Sequence, residues 1–253
     1  MTPKHIELVK ATVPVLRENG VALTRYFYQR MLNNHPELKN TFNLEHQNNE
    51  RQPRALAAAV LAYAEHIENP SVLAKALEHI TTKHVSLDIQ PEQYAIVGEN
   101  LLHSISEVLD VAMDSDLIAA WQAAYMQLAD LMISMEKNKY QTLASQHGGW
   151  TGWRAFKISA IEKSGSAYLF SVTAQDGQAI LNAQANTPIS VRVSVPEQEL
   201  LQPQQFKLSA STENSYQFLV ECVAEPSPYS VAAILAQHYD VGDVLELSAP
   251  MTV

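Results

Sequence analysis

The chain has 253 residues, 47% of them hydrophobic, which exceeds the usual size of one domain and provides enough apolar side chains for packed cores. Its net charge of −10 argues against nucleic acid and anionic membrane surfaces as partners. The single cysteine, Cys222, excludes an intrachain disulfide and a cysteine-based metal site. No apolar run approaches the roughly 18 residues of a membrane-spanning helix and no secretory signal begins the sequence, so we expect a cytoplasmic protein.

Helical periodicity dominates residues 1–144. One segment of this part places a histidine, His84, at a helix end, ahead of a helix that starts at Pro91 and carries Tyr94. A neutral imidazole can coordinate iron through one nitrogen while an acceptor holds the other, and Glu136, on a later apolar helix, is a candidate acceptor. A lone histidine is more often an ordinary core or surface residue, so this pattern alone leaves both interpretations open.

Several longer motifs follow one another along the same part of the chain. They are residues 23–32, Asn34-His35-Pro36 with Phe42, Gln52 with Leu56, residues 62–69, Lys83-His84, residues 90–102, Ala120-Trp121, and Ala124-Tyr125. In this order they resemble the N-terminal globin domain of the flavohaemoglobins. The resemblance implies an all-α globin fold with haem, and because no Cys-x-x-Cys-His attachment motif exists, we expect haem b.

The resemblance also implies a role for each matching residue. His84 would be the proximal iron ligand, and Tyr94 and Glu136 would complete a hydrogen-bonded proximal triad with it. The further cofactor contacts that it implies are Phe42, which would pack on the haem face, Lys83 and Val97.

Tyr28, Gln52 and Leu56 would line the distal side, where a gas ligand binds. A hydroxyl and an amide are hydrogen-bond donors that stabilise the negative charge oxygen acquires on reduced haem. Ordinary helix packing is the alternative for Tyr28 and Leu56. Because proline fits a helix only near its first turn, Pro53 predicts that the distal helix begins at about Gln52 or Pro53. Gln52 then lies at a frayed helix start, where its amide can swing toward or away from the ligand.

After residues 145–153, which we interpret as a linker, the apolar period becomes two. Gly165, Gly177 and Gly242 supply turns between runs of alternating apolar and polar residues. The pattern predicts an antiparallel barrel or sandwich over residues 154–253, interrupted by one helix at about Tyr229 to His238. Cys222 lies on one alternating run, which indicates a small buried or interface residue.

Residues 148–150, 154–158, 176–177 and 241–250 make this part resemble the flavin-binding barrel of the same family, a domain of the ferredoxin-reductase type. The residues that hold flavin in the family are replaced. Gln204-Gln205-Phe206-Lys207 matches an Arg-x-Tyr-Ser motif, Tyr229 and Ala232 match a glycine and a serine at a phosphate-binding helix start, and Asn186-Thr187-Pro188 matches Gly-Gln-Tyr. We therefore expect FAD to be absent.

The sequence also has no glycine-rich phosphate loop after a strand, and it stops at Val253, where the family enters a nicotinamide-binding domain. We therefore expect no NAD(P)H site. Truncation of a longer flavohaemoglobin would explain the end of the chain but not the changed flavin contacts, which favour erosion or repurposing of the barrel.

Two functions follow as expectations from the resemblance. The first is an oxidoreductase of the nitric oxide dioxygenase type, which binds oxygen and nitric oxide and depends on an external reductase. The second is a gas-binding or sensing protein that signals to a partner through the barrel. A peroxidase-like side activity is a weaker third possibility, because an anionic partner on the proximal imidazole pushes electron density onto iron.

Overall fold

The computed structural model describes residues 1–252 and divides them into two compact units. The helical unit comprises Met1–Leu38, His46–Thr81 and Gln90–Met135. The barrel unit comprises Lys39–Glu45, Thr82–Ile89 and the chain from Glu136 onwards. No helix among the described residues is long and apolar enough to cross a membrane.

Seven helices precede the sheet. They are α1 (Pro3–Ala11), α2 (Val13–Asn34), α3 (Leu44–Asn48), α4 (Arg51–Glu65), α5 (Ala74–Ser86), α6 (Pro91–Leu109) and α7 (Asp116–Ser145), with 3₁₀ turns at Pro36–Asn40 and Pro70–Leu73. The start of α6 shows how the sequence sets a boundary: Pro91 occupies the first turn, and Gln90 and Gln93 form a reciprocal capping box. In the helical unit, buried residues of α2 form much of the core, among them Leu23, Phe27 and Met31.

The remaining chain forms six strands and one helix. They are β1 (Arg154–Ser164), β2 (Ala167–Ala174), β3 (Pro188–Ser194), β4 (Leu201–Ser211), β5 (Ser215–Glu221), α8 (Val231–His238) and β6 (Val244–Leu247). The strands close into an antiparallel barrel in the order β1-β2-β5-β4-β3-β6. This decides between the barrel and the sandwich that the alternation left open.

The barrel interior is filled by the inward residues of the alternating runs, as the period of two requires. Phe170 and Phe218 stack at 5.7 Å between ring centroids, and Phe206 lies 5.5 Å from Phe218. The predicted helix near residue 229 is confirmed as α8. Strand β6 is only four residues long and was not predicted, yet it pairs with both β1 and β3 and so closes the barrel.

Candidate functional site

His84 lies in the last turn of α5 and contacts a buried carboxylate. Its Nδ1 is 2.8 Å from Oε1 of Glu136 on α7. The Glu136 side chain is 3% exposed, whereas that of His84 is 31% exposed. Because a carboxylate out of water needs a donor, Nδ1 carries the hydrogen and coordination of a metal by His84 would use Nε2.

The end of α5 is held in a defined conformation. Leu87 and Ile89 both donate their backbone N–H to the carbonyl of His84, at 3.0 and 3.1 Å. Asp88 between them has φ +59°, a left-handed conformation that turns the chain out of the helix. The Tyr140 hydroxyl of α7 donates to the Ile89 carbonyl at 2.8 Å, so the turn after His84 is fastened to the helix that carries Glu136.

Tyr94 is buried in the first turn of α6, in the helical unit. Its carbonyl accepts a hydrogen bond of 2.6 Å from the Tyr125 hydroxyl, and Val97, one turn on, is half-buried. The Tyr125 ring lies so close to Gly98 that an added Cβ would be 2.4 Å from its Cε1. These contacts fix the first turns of α6, while membership of Tyr94 in a triad with His84 stays a prediction.

Tyr28 is buried on α2, and its ring packs at 4.9 Å against that of Phe27. Burial raises the pKa of the Tyr28 phenol above its ordinary value, so the hydroxyl stays protonated and able to donate. Leu56 is half-buried on α4. Helix α4 begins at Arg51, one residue before the predicted range, and this places Gln52 in its first turn.

Two residues that the sequence did not reveal organise the start of α4. Thr24 of α2 donates its hydroxyl to the carbonyl of Pro53 at 2.7 Å and so binds the first turn of α4 to α2. Gln47 donates its amide Nε2 to Oε1 of Gln52. This hydrogen bond fixes the orientation of the Gln52 side-chain amide at the start of the helix. Gln47 lies in the separate helix α3, so the apolar periodicity of α4 could not predict its contact with Gln52.

Lys83 and Phe42, the other cofactor contacts that the sequence predicted in the barrel unit, are both half-buried. Burial lowers the pKa of the Lys83 ammonium. Phe42 lies between Asn40 and Asn43, whose side chains contact strand β4: Oδ1 of Asn40 accepts from Leu201 N at 2.8 Å, and Asn43 donates to the Pro203 carbonyl at 2.8 Å. No group of three or more His, Cys, Asp or Glu side chains in residues 1–252 is arranged to hold a metal ion.

Similarity to known proteins was found for both parts of the chain. A model of the globin family matches residues 25–132. A bacterial globin from Campylobacter jejuni of known structure is 38% identical and aligns with 55% of this chain and 99% of its own, with a TM-score of 0.53. The chain belongs to the globin family.

Over its whole length this globin is similar to flavohaemoproteins. The flavohemoprotein of Bordetella pertussis is 48% identical over 253 residues, which are 99% of this chain and 63% of that protein. The structure of a flavohemoglobin from Malassezia yamatoensis with bound FAD and heme aligns with 100% of this chain and 64% of its own, at 26% identity and a TM-score of 0.87. The predicted resemblance and the fold, a helical globin domain followed by an antiparallel reductase-type barrel, are thereby confirmed, and the chain spans about 63% of the length of the curated relatives.

The structure gives the surroundings of the barrel residues from which the sequence predicted a loss of flavin. Phe206 has no hydroxyl and packs in the apolar core beside Phe218. Lys207 is exposed, and Tyr229 is half-buried against the same core. Oε1 of Gln204 is buried with no hydrogen-bond partner in the described part of the chain, and a neutral acceptor there cannot replace a guanidinium that donates to phosphate. The expected absence of FAD stays a prediction.

The donor set for a globin haem is present. A globin holds haem iron through a proximal imidazole whose second nitrogen is engaged by an acceptor, and His84 with the buried Glu136 provides this arrangement. The residues present therefore fit a haem.

Proposed function

We propose that this globin binds one haem b through His84 and works in gas chemistry of the nitric oxide dioxygenase type. The 2.8 Å contact between His84 and the buried Glu136 carries the proposal, because an imidazole with one nitrogen held by a desolvated carboxylate presents its other nitrogen as a basic metal ligand. The similarity to flavohaemoproteins over 99% of the chain supports it.

The proposed roles of the side chains follow from their hydrogen-bonding capacity. A ferrous haem held by His84 would bind oxygen and nitric oxide and would support the oxidation of nitric oxide to nitrate by oxygen, a reaction that leaves the iron as Fe(III) and requires one electron from a reductase to restore Fe(II). Glu136 accepts the Nδ1 hydrogen of His84 and fixes the imidazole orientation, a role that Tyr94 shares. Tyr28 and Gln52 donate to the gas ligand, while Leu56 and Val97 exclude water and Phe42 and Lys83 contact the macrocycle.

We propose further that electrons reach the haem from an external reductase, because the side chains at the flavin-contact positions of the barrel differ from those that hold FAD in the family. The domain limits that we propose are 1–144 for the globin domain, 145–153 for a linker and 154–253 for the barrel, in a cytoplasmic protein. Oxygen and nitric oxide are the proposed small-molecule partners, without nucleic acid or membrane.

The proximal assignment is tested by replacing His84 with Ala and measuring haem content and absorption spectrum. We expect normal haem retention to be lost, because the axial bond is removed. His79→Ala is the matched control, since His79 is exposed on the same helix and should leave the spectrum unchanged. A His84→Ala protein with the wild-type haem spectrum contradicts the assignment.

The activity is tested by steady-state consumption of nitric oxide in the presence of oxygen, with and without candidate reductases. We expect slow consumption alone and sustained turnover when a reductase and NAD(P)H are supplied. If no electron donor sustains turnover, the enzyme assignment is wrong.

The alternative function is a gas sensor that signals through the barrel. Hydrogen bonds from Ser190 and Gln205 of the barrel to Ser86, in the helix turn that carries His84, favour it. A sensor would bind oxygen or nitric oxide stably and turn over slowly with every reductase tested.

A further inference from the structure

The segment that carries Phe42 is bound by one buried glutamine of the barrel. Gln202 of β4 is fully buried. Its Nε2 donates to the carbonyl of Lys39 at 2.8 Å, and its Oε1 accepts the backbone N–H of Leu44 at 2.7 Å. A single side chain therefore bonds the backbone on both sides of Phe42.

Two asparagines of the same segment complete the attachment. Asn40 accepts from the backbone of Leu201 and Asn43 donates to the carbonyl of Pro203, each at 2.8 Å. The residues of β4 that meet this segment are thus consecutive: Leu201 and Pro203 bond it through their backbone, and Gln202 bonds it through its side chain. Consecutive bonds to one strand fix both the position and the direction of the bound segment.

The helix turn that carries His84 is bound by a second set of contacts. The Ser86 hydroxyl donates to the carbonyl of Lys83 at 2.8 Å, accepts from the hydroxyl of Ser190 at 2.9 Å and accepts from Nε2 of Gln205 at 3.0 Å. These three bonds use the whole hydrogen-bonding capacity of a serine hydroxyl.

Ser190 of β3 is itself bonded to Ser248, which directly follows β6. Its N–H donates to the Ser248 hydroxyl at 2.9 Å, and its carbonyl accepts from the Ser248 N–H at 2.9 Å. Ser86, Ser190 and Ser248 are all buried. Buried hydrogen bonds are costly to leave unmade, so the turn after His84 cannot shift without breaking bonds to the barrel.

We propose that the barrel is a scaffold for two proposed haem contacts of its own unit: Gln202 positions the segment that carries Phe42, and Ser190 with Gln205 positions the turn that carries His84. The inference rests on the proposed role of His84 as haem ligand, and it gives the barrel a task that requires no flavin. Ser190, Gln202 and Gln205 are positioning residues that act on the haem through the segments they bind. All the groups involved are neutral, so the attachment is insensitive to salt.

The attachment is tested by hydrogen exchange of backbone amides in the haem-free full-length protein. Gln202→Ala removes the acceptor of the Leu44 N–H, and loss of about 1.4 kcal/mol of bonding speeds exchange in residues 39–45 about 10-fold. The double variant Ser190→Ala with Gln205→Ala speeds exchange by a similar factor in residues 84–89. Ser209→Ala, on an exposed position of β4, is the matched control and leaves both segments unchanged.

If Gln202→Ala does not fold, Asn40→Ala tests the same segment through the loss of one bond. Wild-type exchange in both segments, in variants that are folded, overturns the proposal. This measurement needs no haem, so it stands even if His84→Ala shows that the haem assignment is wrong.

The consequence for the haem is tested in the loaded protein by the Fe–His stretching frequency and by the rate of haem transfer to an acceptor apoprotein. We expect a shifted or broadened stretching band in the Ser190→Ala and Gln205→Ala double variant. Gln202→Ala should raise the rate of haem loss about 10-fold, in line with one lost buried bond. Faster amide exchange with unchanged haem readouts overturns the scaffold role, since the barrel would then bind these segments without positioning the haem.

Discussion

At the scale of single residues, the buried carboxylate of Glu136 is the group that most needs a functional explanation. Transfer of an isolated carboxylate from water to a protein interior costs several kcal/mol unless it is paired. Here the partner is the imidazole of His84, which is itself one-third exposed. A buried acceptor behind an accessible imidazole is the arrangement that increases ligand basicity at a metal.

Replacing Glu136 with Gln is expected to raise the haem reduction potential. A neutral amide gives the His84 imidazole less anionic character, and a less anionic axial ligand stabilises Fe(III) less. A spectroelectrochemical redox titration measures the shift. Asp130→Asn, an exposed change on the same helix, is the control and should leave the haem reduction potential unchanged. An unchanged or lower reduction potential in Glu136→Gln would contradict the proposed pair of His84 and Glu136.

Replacing Tyr28 with Phe is expected to speed oxygen release from the reduced protein. The pKa of Tyr28 is raised by burial, so its hydroxyl is a neutral donor throughout the physiological range. A hydrogen bond to a partly charged ligand contributes about 1.5 to 3 kcal/mol, which corresponds to a dissociation rate about 10-fold higher or more in the variant. Stopped-flow measurement of oxygen dissociation tests this, with Tyr26→Phe on the exposed face of α2 as the control. Equal rates in Tyr28→Phe and wild type would mean that Tyr28 only packs.

At the scale of elements, the sequence predicted those helix starts and strands that depend on a proline or on an alternating apolar pattern. Pro91 marked the start of α6, Pro53 marked the start of α4 to within one residue, and the alternation after residue 153 located five of the strands. Strand β6 was not predicted because four residues are too few to show an alternating period. Its ion pair between Glu246 and Arg192 of β3 also joins residues that are far apart in the sequence. The contacts of Gln47 and Gln202 were likewise hidden, since both join residues that only the fold brings together.

Gly98 of α6 is expected to be intolerant of a side chain, in contrast to Gly20 of α2. An added Cβ at Gly98 would lie 2.4 Å from the ring of Tyr125, which is held by its hydrogen bond to Tyr94. Overpacking of this kind costs about 1 to 3 kcal/mol, which outweighs the gain in helix propensity of about 1 kcal/mol.

At Gly20 the nearest atom to an added Cβ is Cβ of Ala57 at 3.5 Å, an ordinary contact. Thermal unfolding should therefore show a lower Tm for Gly98→Ala and an equal or higher Tm for Gly20→Ala. Equal effects of the two substitutions would contradict the close packing of Tyr125 on Gly98.

At the scale of the whole molecule, each of the two compact units is built from segments that are not contiguous in the sequence. Residues 39–45 and 82–89 precede the barrel in sequence but cluster with it. Resemblance predicted the globin and barrel folds correctly, yet the hydrogen bonds of Ser86 and Gln202 depend on long-range packing that no local pattern encodes. The barrel therefore contributes hydrogen bonds around the proposed haem contacts Phe42 and His84, and this contribution does not depend on flavin binding.

The barrel is expected to bind neither FAD nor FMN at micromolar concentrations. Loss of one charged hydrogen bond to pyrophosphate costs about 1.5 to 3 kcal/mol, which weakens affinity by about 10- to 100-fold. Gln204 offers a neutral amide in place of a guanidinium, Phe206 offers a ring buried in the core in place of a hydroxyl, and Tyr229 adds bulk where the family has glycine. Lys207 is exposed, and its flexible ammonium does not replace a bidentate donor.

Flavin fluorescence after denaturation of the purified protein measures stoichiometry, and titration of the native protein with FAD measures affinity. The combined variant Gln204→Arg, Phe206→Tyr, Lys207→Ser and Tyr229→Gly is the matched control, because it restores the family's side chains on the same barrel and should bind FAD more tightly than the wild type. Stoichiometric flavin in the wild-type protein would overturn the expectation, and it would make the barrel a working flavin-binding module.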